Sequence, residues 1–211
     1  MMGPEGVTIV PMTPEMVPQA ARLHRTALGN TRTALMGERY VRVFIGWFRQ
    51  PQHGIAVVAI DGRRDVVGYV IGAPLGYTQA LSWHLVWIST VSVITRPWLV
   101  FRKQFRSGVL GRLLVPLVRT VLQAAKPGLV PPTMSLVALA VSPDSREKRV
   151  GQNLMQACEE RSRALRMRSL SLSTRSDNAT ARRLFQRCGW RLSSDSGEIA
   201  YYHRILEKDR A

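Results

Sequence analysis

Apolar and polar positions alternate along this chain with two periods, and the switches between them mark the elements. Val7-Thr-Ile-Val10, closed by Pro11, reads as a short strand. Thr13-Pro14-Glu15 reads as a helix start: Thr13 suits a cap, Pro14 the first helical position, and Glu15 the positive end of the helix. That helix is expected to run to a left-handed stop at Gly29-Asn30. Ala34 to Arg49 predicts a second helix, with Leu35, Tyr40, Val43, Phe44, Trp47 and Phe48 on one stripe and Pro51 behind it. Ile55–Ile60, the turn Asp61-Gly62-Arg63-Arg64, and Val66–Ile71 predict a hairpin. Leu136–Val141 is a further strand, broken by Pro143 and Asp144. A helix opens within Arg146–Gly151 and runs from Gln152 to about Leu165. A strand over Ser169–Thr174, a helix from Asn178 to Cys188-Gly189-Trp190, and a C-terminal strand carrying Tyr201 and Tyr202 complete the pattern.

The stretch of about 76–132 departs from it. Leu81–Ile88 and Val91–Phe101 approach the apolar length of a membrane span, but serines, threonines, Arg96 and Pro97 dilute them. Phe105 to Ala125 is amphipathic, with Leu110, Leu113, Leu114, Leu117 and Val121 on one face, Arg112 and Arg119 opposite, and Pro116 expected to kink it. The expectation is a helical insertion that packs on the domain and shapes a pocket. A sharper reading has its Trp-rich, basic-flanked surface touch a membrane, a lipid-linked substrate or a protein partner through 78–126. One domain over 1–211 is expected, carrying this insertion.

Composition adjusts the picture in two ways. Apolar content of 45% with 21% charged residues fits a globular chain and argues against disorder. The net charge of +16 favours an anionic partner: a phosphorylated cofactor, a nucleic acid or an anionic membrane. Cys158 and Cys188 sit in amphipathic helical patterns and read as buried free thiols, with no metal-ligand spacing around either, so no metal is expected. The N-terminal residues lack the features of a secretory signal, and the expected compartment is the cytoplasm, with the inner face of a membrane as a peripheral location.

The turn after the Leu136–Val141 strand carries candidate chemistry. A turn entering a helix leaves backbone N–H groups pointing outward, and with the helix dipole these form an anion site. Arg146, Lys148 and Arg149 add positive charge there, and Gly151 permits close approach of backbone. Cations are unfavourable at that end of a helix unless an anion binds. A phosphate-type ligand is therefore favoured over a bare basic terminus.

Pro143-Asp-Ser-Arg146-Glu-Lys-Arg149-Val-Gly151 resembles the turn of the GNAT superfamily of N-acetyltransferases, Gln/Arg-x-x-Gly-x-Gly/Ala. Arg146 and Gly151 match, and Arg149 stands at the middle glycine. Asn178-Ala-Thr-Ala181-Arg-Arg-Leu-Phe185 followed by Gly189-Trp190 is similar to the family's Asn-x-x-Ala-x-x-x-Tyr and Gly-Phe pattern. The element order is similar as well, outside about 76–132. The resemblance implies an α/β (α+β) fold with a mixed, mostly antiparallel central sheet, flanking helices, and the insertion between the third and fourth strands.

It also implies acetyl transfer from acetyl-coenzyme A, without metal, to a primary amine by direct attack, with an amino sugar or other small amine favoured and a protein amine as a further candidate. Leu139, Ala140 and Val141 would offer backbone groups to the thioester and pantetheine; Arg146, Lys148, Arg149, Val150, Gly151 and Gln152 would cradle the pyrophosphate; Asn178, Ala181 and Phe185 complete the cofactor-binding set, and Asn178 would double as a helix cap. Splaying of the strands 136–141 and 169–174 would open the pantetheine slot. Phe185 stands where relatives carry a proton-donating Tyr, so the general acid is not assigned; Tyr201 and Tyr202 are substitutes, though a structural aromatic is the favoured reading for them. Ser135 and Ala138 stand where many relatives carry a basic Glu. His84, Glu198 and Tyr201 are the catalytic candidates, with Glu38, His203 or a water chain as further bases. A homodimer is a candidate assembly, and nucleic acid ranks below the coenzyme as partner. The rival reading is a GNAT-shaped binding module, catalytically weak, using its basic surface and insertion on a membrane or nucleic acid.

Overall fold

The computed structural model describes residues 6–29, 31–94, 129–145 and 149–206. Its elements are β1 (Thr8–Pro11), a short 3-10 helix (Pro14–Met16), α1 (Val17–Ala27), α2 (Arg32–Leu35), α3 (Glu38–Phe48), β2 (Ile55–Ile60), β3 (Val66–Pro74) and α4 (Thr78–Ile94). After residue 129 follow β4 (Thr133–Val141), α5 (Val150–Ala164), β5 (Ser169–Arg175), α6 (Ala179–Arg187), β6 (Arg191–Asp195) and β7 (Ile199–Ile205). The strands make one sheet in the order β1-β2-β3-β4-β5-β7-β6. β4 and β5 run parallel and the other described pairs are antiparallel, the mixed sheet the sequence suggested.

Period-2 alternation gives the sheet two apolar faces. Val58, Tyr69, Ile71, Ala73 and Ala140 pack against α1 and α3. Val57, Val70, Met134, Leu136, Leu170, Leu172 and Tyr202 pack on the other side with Val150, Leu154, Met155 and Cys158 of α5 and Phe185 of α6. On α3 the buried positions Tyr40, Val41, Phe44, Ile45, Trp47 and Phe48 recur at helical spacing, and burial of each contributes about 1.5–3 kcal/mol.

Several boundaries differ from the pattern reading. The predicted helix 34–49 is two helices, because Gly37 adopts φ +95°, a left-handed conformation that ends α2 and caps α3. Thr13 makes no side-chain capping bond: its turn is a 3-10 helix, and α1 follows from Val17. α1 stops at Ala27, ahead of Gly29. The C-terminal strand is a hairpin, β6 with β7, since Ser196-Gly197 turns the chain back with Gly197 at φ +80°. The first half of the expected insertion is α4, whose Leu81 and Leu85 join the α3 side of the core while Trp83 and Trp87 are exposed. Among the described residues no helix is long and apolar enough to cross a membrane. The amphipathic segment Phe105 to Ala125 lies outside the described residues.

The core on the α1 side encloses one imidazole. His24 is 2% exposed, and burial lowers its pKa to about 4 from 6.5. The unfolded chain takes up this proton as pH falls through about 6.5, whereas the folded one resists until about 4, so the unfolded state binds more protons between the two values and stability declines on acidification. The decline is about 1.4 kcal/mol per pH unit. Urea unfolding of wild type and His24→Gln at pH 7 and pH 5 is expected to show their stability difference shrinking by about 2 kcal/mol at the lower pH. A difference that stays constant would mean that folding leaves the His24 pKa unshifted.

Candidate active site

The sheet is open where the sequence placed its chemistry. β4 pairs with β5 only through Thr133↔Ser169, Met134↔Leu170 and Ser135↔Ser171. β4 then runs on to Val141 and β5 to Arg175 without pairing, so the strands diverge into a wedge. The cause lies in β4. Its register against β3 steps from Ile71↔Ala138 to Gly72↔Leu136, leaving Val137 as an extra residue. Such a bulge bends and twists the bulged strand, here just past the last pair with β5. It also puts Val137 and Ala138 together against the α1 and α3 side, while Leu139 and Val141 face α5. Along 136–141, alternate N–H and C=O groups of β4 point toward β5 and meet no strand there.

α5 begins at the open end of this wedge. Asn153 N–H donates to the Arg149 carbonyl at 3.1 Å, so the N–H groups before it project from the helix end. Arg149 is the N-cap residue, contributes no side-chain cap, and is exposed with φ 54° and ψ 14°. That left-handed conformation explains the family's glycine at this position, and its strain costs an arginine about 1 kcal/mol. Arg149→Gly is expected to raise stability by roughly 1 kcal/mol in urea unfolding; a loss of stability would show that the guanidinium holds the turn. Val150 is wholly buried and Gln152 half-buried. Gly151 is buried against α6 and β4: a Cβ there would stand 3.2 Å from Leu184 Cδ2 and 3.8 Å from Val141 Cγ2. Arg146 and Lys148 lie outside the described residues.

α6 forms the far wall. Asn178 caps it, with Oδ1 accepting from Ala181 N–H at 3.1 Å, as the sequence suggested. Arg182 fixes the turn before it: Nη1 donates to the Ser176 carbonyl at 2.9 Å and lies 3.0 Å from Asp195 Oδ2, while Nε donates to the Tyr202 hydroxyl at 3.2 Å. Phe185 is buried edge-on to Tyr202, with ring centroids 5.5 Å apart. Tyr202 is 1% exposed, so both rings are core and neither presents a proton donor to the wedge. Leu139, Val141, Ala181 and Leu184 are half-buried apolar groups lining the α5 side of the opening.

His84 is exposed on α4. Glu198 is exposed in the β6–β7 turn, where its carbonyl accepts from Ser176 N–H. Glu38 is engaged by Arg42 at 2.5 Å and Arg25 at 3.6 Å. Tyr201 and His203 do lie near the apex. Ser135 of β4, Ser171 of β5 and His203 of β7 are successive partners across the sheet, and Tyr201 pairs with Ser173 one step toward the opening. These side chains share the face opposite Tyr202. His203 is half-buried, and its Nδ1 is 2.6 Å from Ser193 Oγ, on the residue bulged from β6. Ser171 and Ser193 were not singled out in the sequence: a serine in an alternating strand carries no signal until strand neighbours are known. Among the described residues no group of His, Cys, Asp and Glu is disposed to hold a metal.

These features fit coenzyme A. The projecting N–H groups suit a diphosphate, the apolar walls suit a pantetheine chain, and the unpaired edge of β4 suits its amide groups. From Val141 to the bulge at Val137 is about 13 Å of strand, ending at the apex.

Comparison with known proteins agrees. A family model described as the acetyltransferase (GNAT) family matches residues 22–190. The fold is similar to that of Ard1 from Thermoplasma volcanium, at 16% identity and TM-score 0.59, covering 96% of this chain and 99% of that one. It is also similar to the ribosomal-protein-S18-alanine N-acetyltransferase from Escherichia coli, at 11% identity and TM-score 0.56, covering 97% and 98%. A third similar structure is NAA60 of Arabidopsis thaliana in complex with a bisubstrate analogue, at 11% identity and TM-score 0.57, covering 94% and 97%. No curated protein matches the chain in sequence. With a bulged and splayed β4, a helix start aimed at the opening, and a family match over most of its length, this chain belongs to the GNAT family of acetyltransferases.

Proposed function

We propose that the chain acetylates a primary amine on a small polar molecule such as an amino sugar, with acetyl-coenzyme A bound in the β4–β5 wedge and His203 as the base. The observation that carries the reading is the row Ser135, Ser171 and His203 across the apex, on the face away from the α5 wall. Acetyl-coenzyme A, when bound, supplies the acetyl group as a thioester. The first turn of α5 and Gly151 hold the diphosphate; Leu139, Val141, Ala181 and Leu184 flank the pantetheine; free N–H groups of β4 near the bulge polarise the carbonyl. The amine attacks the carbonyl directly. Its proton goes to His203, whose ring is oriented by Ser193. With Phe185 and Tyr202 packed in the core, the departing thiolate takes its proton from solvent or from the imidazolium.

The small, neutral polar acceptor is supported by the side chains around the apex, serines with one histidine and one tyrosine. A polycation would also approach against a net charge of +16. Thiol release from acetyl-coenzyme A, measured over a panel of neutral amino sugars, polyamines and basic peptides, tests this. Turnover with an amino sugar at least tenfold above that with the cationic acceptors supports it; the reverse order overturns it. No observation here favours the binding-module alternative.

A further inference from the structure

The face of the sheet that carries the apex row also holds a buried polar chain with no part in the steps above. His24 on α1 lies between the rings of Tyr69 on β3 and Phe44 on α3, each centroid 6.1 Å away. Its Nδ1 is bonded to the Tyr69 hydroxyl, and its Nε2 lies 2.8 Å from Thr33 Oγ1 on α2. Thr33 Oγ1 is 3.1 Å from Thr31 Oγ1, whose hydroxyl donates to the Leu28 carbonyl at 2.8 Å. Tyr69 is wholly buried. A neutral imidazole has one donor and one acceptor nitrogen. One arrangement satisfies all of these groups. Tyr69 O–H donates to Nδ1, Nε2–H donates to Thr33, and Thr33 O–H donates to Thr31. One ring thus ties the sheet to the connection between α1 and α2.

That connection arrives beside the reactive part of β4. Val66 N–H donates to Gln19 Oε1 at 2.7 Å, which sets the start of α1 over the start of β3. His24 is about 7.5 Å further along the helix and meets Tyr69, the partner of Ala140. α1 therefore runs with β3 toward Ile71, whose partner is Ala138 at the bulge. The residues after Ala27 leave α1 at that level, on the face of Ser135, Ser171 and His203.

We infer that His24 is a positioning residue: bonded to Tyr69 and Thr33, it fixes the α1–α2 connection beside the β4 bulge and so shapes the acceptor side of the wedge without touching coenzyme A. The inference rests on acyl transfer taking place at that wedge. Its test combines three variants. His24→Leu removes both bonds, Tyr69→Phe removes one, and His24→Gln keeps an amide that can reach Thr33. In His24→Leu, amide hydrogen exchange over 28–37 is expected to rise at least tenfold, while exchange over 150–164 and calorimetric affinity for acetyl-coenzyme A stay within threefold of wild type. With the fastest amine of a primary-amine panel, KM for the amine rises at least tenfold and KM for acetyl-coenzyme A stays within threefold. Tyr69→Phe moves in the same direction by less, and His24→Gln recovers part of the loss. Exchange rising equally along the whole chain, an unchanged KM for the amine, or equal rises in both KM values would overturn it. Failure of the acyl-transfer reading itself shows separately, as wild-type protein that does not bind acetyl-coenzyme A.

Discussion

Gly151→Glu is expected to weaken binding of acetyl-coenzyme A at least 100-fold, about 2.7 kcal/mol. Two effects add. The position is packed: even a Cβ stands 3.2 Å from Leu184 Cδ2 and 3.8 Å from Val141 Cγ2, so a longer side chain must turn into the opening or displace α6. A carboxylate there also sits on the first turn of α5, where it occupies the positive end of the helix dipole and repels a diphosphate. Gly151→Ala separates the two. It adds the tight methyl without charge and gains up to about 1 kcal/mol of helix propensity, so its affinity loss is expected below tenfold. Calorimetry measures the affinities, and urea unfolding checks that the variants fold. Affinity within threefold of wild type in Gly151→Glu would place the diphosphate elsewhere.

His203→Ala is expected to lower kcat by about two to four orders of magnitude, the range typical for loss of a general base. Affinity for acetyl-coenzyme A should stay within threefold, because His203 faces away from the α5 wall. Ser193→Ala keeps the imidazole but removes the hydroxyl that orients it, so a smaller loss, about fivefold, is expected. His203→Gln preserves size and hydrogen bonding yet cannot take up the proton, and it should be as slow as His203→Ala. Single-turnover measurement of thiol release with the fastest amine of the panel distinguishes these. A kcat within fivefold of wild type in both His203 variants would leave water as the base.

The cofactor side was legible in the sequence because it depends on local features. A strand running into a basic turn and a helix, and an Asn opening the next helix, are contiguous in the chain. In the structure Asn178 caps α6 and accepts from Ala181, as the sequence suggested, and Gly151 packs between α6 and β4. Arg149, the residue that departs from the family turn, keeps the left-handed backbone for which that turn uses glycine. The acceptor side depends on register instead. Ser171 and His203 become neighbours only through pairing of β5 with β7, and Ser193 meets His203 only because β6 bulges there. No periodicity within one strand reveals either.

The same limit applies to the other candidates. His84 and Glu198 have suitable chemistry, but tertiary placement puts them on an exposed helix face and in an exposed turn. His24 was hidden for the opposite reason. It sits within an ordinary amphipathic stripe, and its role appears only when β3 brings Tyr69 against it. The break at Gly37 was missed because α2 and α3 continue one apolar stripe across it.

Calorimetric titration of the full chain with acetyl-coenzyme A, run in parallel on wild type and Gly151→Glu, tests the central claim most directly. The account predicts one saturable site with micromolar affinity in wild type, together with about 2.7 kcal/mol of added stability at 100 times the dissociation constant, and loss of both in the variant. Wild-type protein that gives neither heat nor added stability at millimolar ligand would contradict it.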